Sequence, residues 1–256
     1  MPGETTRRTK HHWDRAWRQQ DPETIDPSSP PHDGDEASRF FVEQLDDLHG
    51  AEVLELGCGQ GHLAVYLAQR GARVTAIDVS TDAVHITRAN AEHNDVDDRV
   101  TPRQLNALHV DRLPGTYDLI VGRFVLHHVE PFVDFADALD TALAPSGEGL
   151  FLENSSRNPL LMFCRDHLAG RFGIPKYGDD EEYPLTPDEI EVLRTFFDVE
   201  VHHPELVFLQ MVNPYLIGYD HTLSRLTAFI ESVDDALYTL FPPLRPYSYR
   251  QVIELR

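Results

Sequence analysis

Three glycines fall within five residues, at Gly57, Gly59 and Gly61, between the apolar run EVLEL and the helical run HLAVYLA. A strand that ends in such a turn and passes straight into a helix lets a ligand touch bare backbone, because glycine has no Cβ and tolerates unusual dihedrals. The ligand that fits this setting is a nucleotide-like cofactor. In dehydrogenases the turn reads G-x-G-x-x-G, with the third glycine packing helix against strand. Here the third glycine comes one residue early and position 62 is His62, so the NAD-dependent oxidoreductase reading loses its fingerprint.

The surrounding pattern is an alternation of short β-rich runs with helical periods. EVLELGC (52–58), RVTAIDV (73–79), RVTPRQLN (99–106), YDLIVG (117–122) and GEGLFLEN (147–154) read as strands, with amphipathic helices between them. That order predicts a parallel sheet. After the fourth strand, Phe132, Phe135, Ala136, Leu139 and Leu143 recur on one helical face behind Pro131, and APSG stops the helix. Residues 1–35 read as an aromatic, basic helix candidate (HHWDRAWRQQ) and a proline-rich linker. Residues 36–256 read as one α/β domain with substrate-side insertions near 155–190 and 211–245.

The stretch E-x-G-x-G-x-G, running from Glu55 to Gly61, resembles the first motif of class I S-adenosylmethionine-dependent methyltransferases of the small-molecule type. The resemblance spans roughly residues 50–155. It implies a Rossmann-like, seven-stranded, mostly parallel sheet with helices on both faces, and 198–207 with 248–255 as an antiparallel edge hairpin. It implies S-adenosylmethionine as the cofactor, held by Glu55, Gly57, Cys58, Gly59 and Gly61. Asp78 and Val79 would meet the ribose at the end of the second strand, Asn106 and Ala107 the adenine, and Arg123 the methionine part. A domain that binds the cofactor without catalysis is the non-enzymatic alternative.

Methyl transfer needs an aimed nucleophile, exclusion of water and sometimes removal of a proton. In an open parallel sheet those groups belong just past the fourth and fifth strands. The catalytic candidates are therefore His127, His128 and Glu153, a histidine being suited to base work because it titrates near neutrality. Asn154, Arg157 and Arg165 are the substrate-binding candidates. No metal is expected, since the His-His pairs at 11–12, 127–128 and 202–203 lack partner sets.

Charge narrows the partners. The chain has 43 acidic against 22 basic residues, a formal net charge of -21, and its only lysines are Lys10 and Lys176. Acids spread over the whole length are the pattern of halophilic proteins, which stay hydrated when salt screens charge. Nucleic acid is excluded as the main partner, because phosphate binding relies on lysine and arginine. Against that background, 155–178 carries Arg157, Arg165, Arg171 and Lys176 with only Asp166 opposing them. Such an island suits an anionic small molecule or glycan, methylated on oxygen, with a uronic acid carboxylate as one example. A quinone or other lipid acceptor is the alternative.

The terminal stripe Leu223, Leu226, Ile230, Val233, Leu237 and Leu240 reads as core, with Glu231, Asp234 and Asp235 on the exposed face. Trp13 and Trp17 are expected to close over the cofactor. No run of about 18 apolar residues and no signal-peptide core are present, and Cys58 and Cys164 read as free thiols, so the expectation is a cytoplasmic monomer or homodimer without a membrane span.

Overall fold

The structure is a computed structural model that describes Asp14, Trp17 and residues 20–28, 34–45, 48–168, 183–211 and 224–256, with side chains from 228 onward in the last segment. A seven-stranded sheet runs through it in the order β3-β2-β1-β4-β5-β7-β6. The strands are β1 (Glu52–Leu56), β2 (Arg73–Asp78), β3 (Val100–Gln104), β4 (Tyr117–Arg123), β5 (Leu143–Asn154), β6 (Val199–His202) and β7 (Arg250–Leu255). β1 to β5 pair in parallel, while β7 lies antiparallel to both β5 and β6. The fold is therefore the Rossmann-like one expected, with its antiparallel edge.

The apolar strands are buried on both faces, which is why they read as continuous runs rather than alternations. Val53, Val74 and Val121 face one hydrophobic cluster with α1 (Glu36–Glu43) and α2 (His62–Gln69). Leu54, Leu56 and Ile120 face a second one with α4 (Phe132–Ala142), where Phe135 and Phe151 are fully enclosed. Pro102 is tolerated in β3 because that strand is at the sheet edge. α3 (Thr81–His93) begins at Ser80, whose hydroxyl caps it by accepting from Ala83 N at 3.2 Å.

Four expectations change. Leu143 belongs to β5, not to the α4 stripe: it is extended and pairs with Tyr117 across an irregular register, so the strand begins directly after Ala142. The proline-rich linker is partly fastened to α3: Glu23 N and Ile25 N donate to the Asn90 and Asn94 side chains at 2.7 and 2.8 Å, and Ile25 is buried. The terminal helix α7 (Ser224–Leu240) does not offer a core stripe, since Val233 and Leu237 are only half-buried and Leu240 is 70% exposed.

Asp234, expected on that helix's exposed face, is buried instead. Its carboxylate accepts from the backbone N–H groups of Phe208, Leu209 and Gln210 at 3.0–3.1 Å. Arg171 and Lys176, with the rest of 169–182 in the expected 155–190 cover, residues 212–223 and Trp13 lie outside the described residues. α5 (Pro159–His167) and α6 (Pro187–Leu193) frame that insertion.

Candidate active site

The chain visits β1, β2 and β3 on one side and then returns to β4 and β5 on the other, so a crevice opens past the carboxyl ends of β1 and β4. A cavity of about 440 Å³ occupies it. The glycine turn forms one wall. Gly57, Gly59 and Gly61 all have positive φ, at 67°, 51° and 77°, a region other residues enter at a cost. Their roles differ. Gly57 and Gly59 line the cavity, whereas Gly61 does not; a Cβ there would stand 2.6 Å from the Thr87 side chain, so it is the packing glycine between α2 and α3.

The turn is held by groups from its neighbours. Asp78 accepts from Gly59 N at 3.0 Å with one oxygen and from Ser80 N at 2.8 Å with the other. Asn90 donates to the Gln60 carbonyl at 2.7 Å, and Thr87 to the Gly59 carbonyl at 3.2 Å. Glu55, Cys58, Val79, Asn106, Ala107 and Arg123 complete the predicted set on the cavity wall. Asn106 also caps the short turn that follows, accepting from Leu108 N at 3.0 Å.

Burial dominates the titrations here. It pushes the Glu55 carboxyl up to about 8, partly opposed by the Arg123 guanidinium. It raises Asp78 against its backbone hydrogen bonds, raises the Cys58 thiol, and lowers the His62 imidazole. Glu55 Oε2 is buried with no hydrogen-bond partner among the described residues.

Beyond the glycines, the wall is made by Phe124, Val125, His128, Val129, Glu130 and Pro131, which follow β4. Trp17 lies over Gly59, its ring 3.1 Å from where a Cβ would be. Asp14, from the same N-terminal stretch, accepts from Ser80 Oγ at 2.7 Å and Thr81 N at 3.1 Å. Sequence reasoning named Trp17 but not Asp14, Gln60, His62 or Phe124. The position of His62, first in the helix after the glycines, was the available signal.

The three catalytic candidates separate. His128 lines the cavity; His127 and Glu153 do not. Glu153 is fully buried, accepts from Val125 N and Leu126 N at 2.7 and 2.6 Å, and binds His127 Nδ1 at 2.6 Å. In this structure it is a buried anchor for the turn that follows β4.

The substrate candidates also stand off the wall. Asn154 receives a hydrogen bond from Arg250, whose guanidinium also sits 4.6 Å from the Phe124 ring centre and 3.5 Å from Asp35. Arg165 faces Tyr183 at 5.9 Å, and Arg157 is exposed. Among the described residues, Glu200, His202 and Glu254 come within 4.8 Å of one another, but both carboxylates pair with Arg256, and the trio reads as a surface ion-pair group.

Residues 53–147 match the family described as "Methyltransferase domain". The ubiquinone biosynthesis O-methyltransferase of Aeromonas salmonicida is 30% identical over 155 residues, 59% of this chain and 63% of that protein. The chain thus spans less than two thirds of that relative. Among solved structures, an S-adenosylmethionine-dependent methyltransferase from Mesorhizobium loti superposes with TM-score 0.57 at 18% identity, covering 88% of this chain and 99% of the other. The N-methyltransferase NodS from Bradyrhizobium japonicum, in complex with S-adenosyl-L-homocysteine, gives TM-score 0.54 at 18% identity, covering 97% of each.

The fold is that of class I S-adenosylmethionine-dependent methyltransferases, and the cavity lies past the carboxyl ends of its parallel strands. The residues fit the cofactor. It brings ribose hydroxyls and two cationic centres, and the cavity supplies bare backbone at two glycines, the Asp78 carboxyl and the unpartnered oxygen of Glu55. When bound, it supplies an electrophilic methyl group.

Proposed function

We propose that this chain, built on a class I methyltransferase fold, transfers methyl from S-adenosylmethionine to a hydroxyl oxygen of a small molecule. The observation that carries the reading is the composition of one cavity: Glu55, Asp78 and Asn106 on the cofactor side, and a histidine, His128, on the β4 side. A hydroxyl must lose its proton as it attacks, and an imidazole is the side chain best matched to take it near neutral pH. The name of the Aeromonas relative, an O-methyltransferase of ubiquinone biosynthesis, agrees with an oxygen acceptor and keeps a quinol among the candidates.

The second reading is an anionic acceptor methylated on its carboxylate, a uronic acid of a glycan among them. It is favoured by Arg157, which lies close enough to His203 to help burial hold that imidazole below its ordinary range. A carboxylate needs no base, so the two readings separate on the product: a methyl ester is cleaved by mild alkali and an aryl or alkyl methyl ether is not.

The test uses purified protein, labelled S-adenosylmethionine and two pools, one of phenols and one of uronic acids. Alkali-stable label from the phenols supports the hydroxyl reading, and alkali-labile label from the uronic acids supports the second. Cofactor binding with neither product points to a binding protein. Asp78→Ala is the control for the site: losing a buried carboxylate that also holds Gly59 should weaken cofactor binding by about 1.5–3 kcal/mol in calorimetry. Unchanged affinity in the folded variant removes Asp78 from the cofactor site.

A further inference from the structure

Glu153 and His127 form a buried pair that the cofactor chemistry leaves unexplained. The His127 side chain is 2% exposed and that of Glu153 is 0%. A buried carboxylate is costly unless every oxygen is satisfied, and Glu153 meets that demand with three donors: Val125 N and Leu126 N on one oxygen, and His127 Nδ1 on the other. All three belong to the short turn that starts one residue after Phe124, where φ is +53°. The end of β5 thus fixes the path of the chain leaving β4.

What the pair fixes is His128. The two imidazoles are in contact, with ring centres 4.1 Å apart at 41°. His128 N also donates to the Val125 carbonyl at 3.1 Å, so its backbone is tied to the residue that Glu153 grips. His128 lines the cavity while its neighbour faces the carboxylate. The charged and titratable groups that share the cavity with it are Glu55, His62, Asp78, Arg123 and Glu130, and behind it stand His127 and Glu153.

We propose that the Glu153–His127 pair is a positioning device that sets the orientation and basicity of His128, and that His128 takes the proton from the acceptor hydroxyl. The proposal rests on the hydroxyl-methylation reading above. In the step, the O–H proton passes to an imidazole nitrogen of His128 while an oxygen lone pair forms the new O–C bond. The electron pair of the broken C–S bond stays on the donor sulfur, which passes from sulfonium to thioether. The imidazolium then returns its proton to solvent. Glu153 and His127 touch neither reactant; they act through His128.

The experiment follows the His128 imidazole by heteronuclear NMR titration in the cofactor-free protein, and methylation of catechol as a function of pH. Glu153→Gln keeps an oxygen for the two backbone donors but removes the charge. The His128 midpoint and the acid limb of the rate profile should both fall, on the order of one pH unit, with cofactor affinity within about twofold of wild type. His128→Asn should lower kcat by about 100-fold or more with little change in cofactor affinity. Should Glu153→Gln not fold, His127→Asn, whose amide can still donate to Glu153, replaces it, with His127→Phe as the variant that cannot. The proposal is overturned if the His128 titration coincides in wild type and in the charge-removing or donor-removing variants, or if His128→Asn keeps wild-type kcat. If no variant and no wild-type sample methylates catechol although cofactor binds, the hydroxyl reading falls, and the NMR titration still decides the positioning.

Discussion

Glu55 and Asp78 sit at the ends of neighbouring strands, and burial raises both carboxyls. Glu55 is carried up to about 8 and is mainly protonated at neutral pH, with an oxygen that no described residue satisfies. An acid whose folded pKa is raised contributes stability that is complete below its unfolded value and is lost as pH rises through the folded one. For Glu55 that window runs from 4.5 to about 8. Within it, Glu55 alone should lower stability by up to about 1.4 kcal/mol per pH unit. A cationic cofactor reverses the preference, so its affinity should climb with pH up to the same point. Denaturant unfolding and calorimetric binding measured from pH 5 to about 9 should show both slopes in wild type and neither in Glu55→Gln; equal slopes in the two proteins would exonerate Glu55. Sequence position alone was enough to bring Asp78 to the cavity wall, because an acid ending the second strand is placed by the strand itself. That Asp78 also holds Gly59 N was not legible, since the bond depends on the turn's left-handed backbone. His127 and His128 were indistinguishable in sequence for the same reason: the residue that tells them apart, Glu153, is 26 positions away.

Among the elements, the parallel strands were the most legible, because burial on both faces writes them as uninterrupted apolar runs. The outer elements were harder. Periodicity put Asp234 on the solvent face of α7, but the residues opposite its apolar stripe meet the start of another segment, and a buried carboxylate there satisfies three otherwise unpaired N–H groups. The N-terminal stretch reads in sequence as an aromatic helix, and what its sequence did not show is that its described residues act as a strap. Trp17 covers Gly59, Asp14 joins Ser80 in serving the start of α3, and Glu23 and Ile25 bind Asn90 and Asn94 further along that helix. Asn90 continues the link to the glycine turn through Gln60. Deleting residues 1–20 removes the first two of these ties and leaves the others. Cofactor affinity should fall by about 1–3 kcal/mol, the range for a lost apolar cover plus a charged hydrogen bond, while far-UV circular dichroism stays that of a folded protein. An unchanged dissociation constant for the truncated protein would mean that Trp17 is surface packing and not a lid.

The whole molecule is governed by its charge. A net charge of -21 on 256 residues makes the compact state repel itself at low ionic strength. Salt could in principle cost as much as it gains by screening favourable pairs, so the pairs have to be weighed. Those of Arg256 with Glu148 and Glu200, and of Arg73 with Glu52, join side chains that are roughly half exposed or more, and such pairs are each worth about 0–1 kcal/mol at any salt. The pair proposed to position His128, His127 with Glu153, is out of solvent and largely beyond the reach of screening. Net repulsion therefore dominates the response. Raising potassium chloride from ~0.1 M to ~2 M, where the Debye length falls well below the spacing of surface charges, should raise the thermal midpoint by on the order of 5–10 °C. The same salt should leave the pH profile of methyl transfer in place, because the Glu153–His127 pair proposed to set the basicity of His128 is buried. Calorimetric scans at the two salt concentrations measure the first effect, and a midpoint that stays flat or falls would show that surface ion pairs, and not self-repulsion, set the stability of this fold.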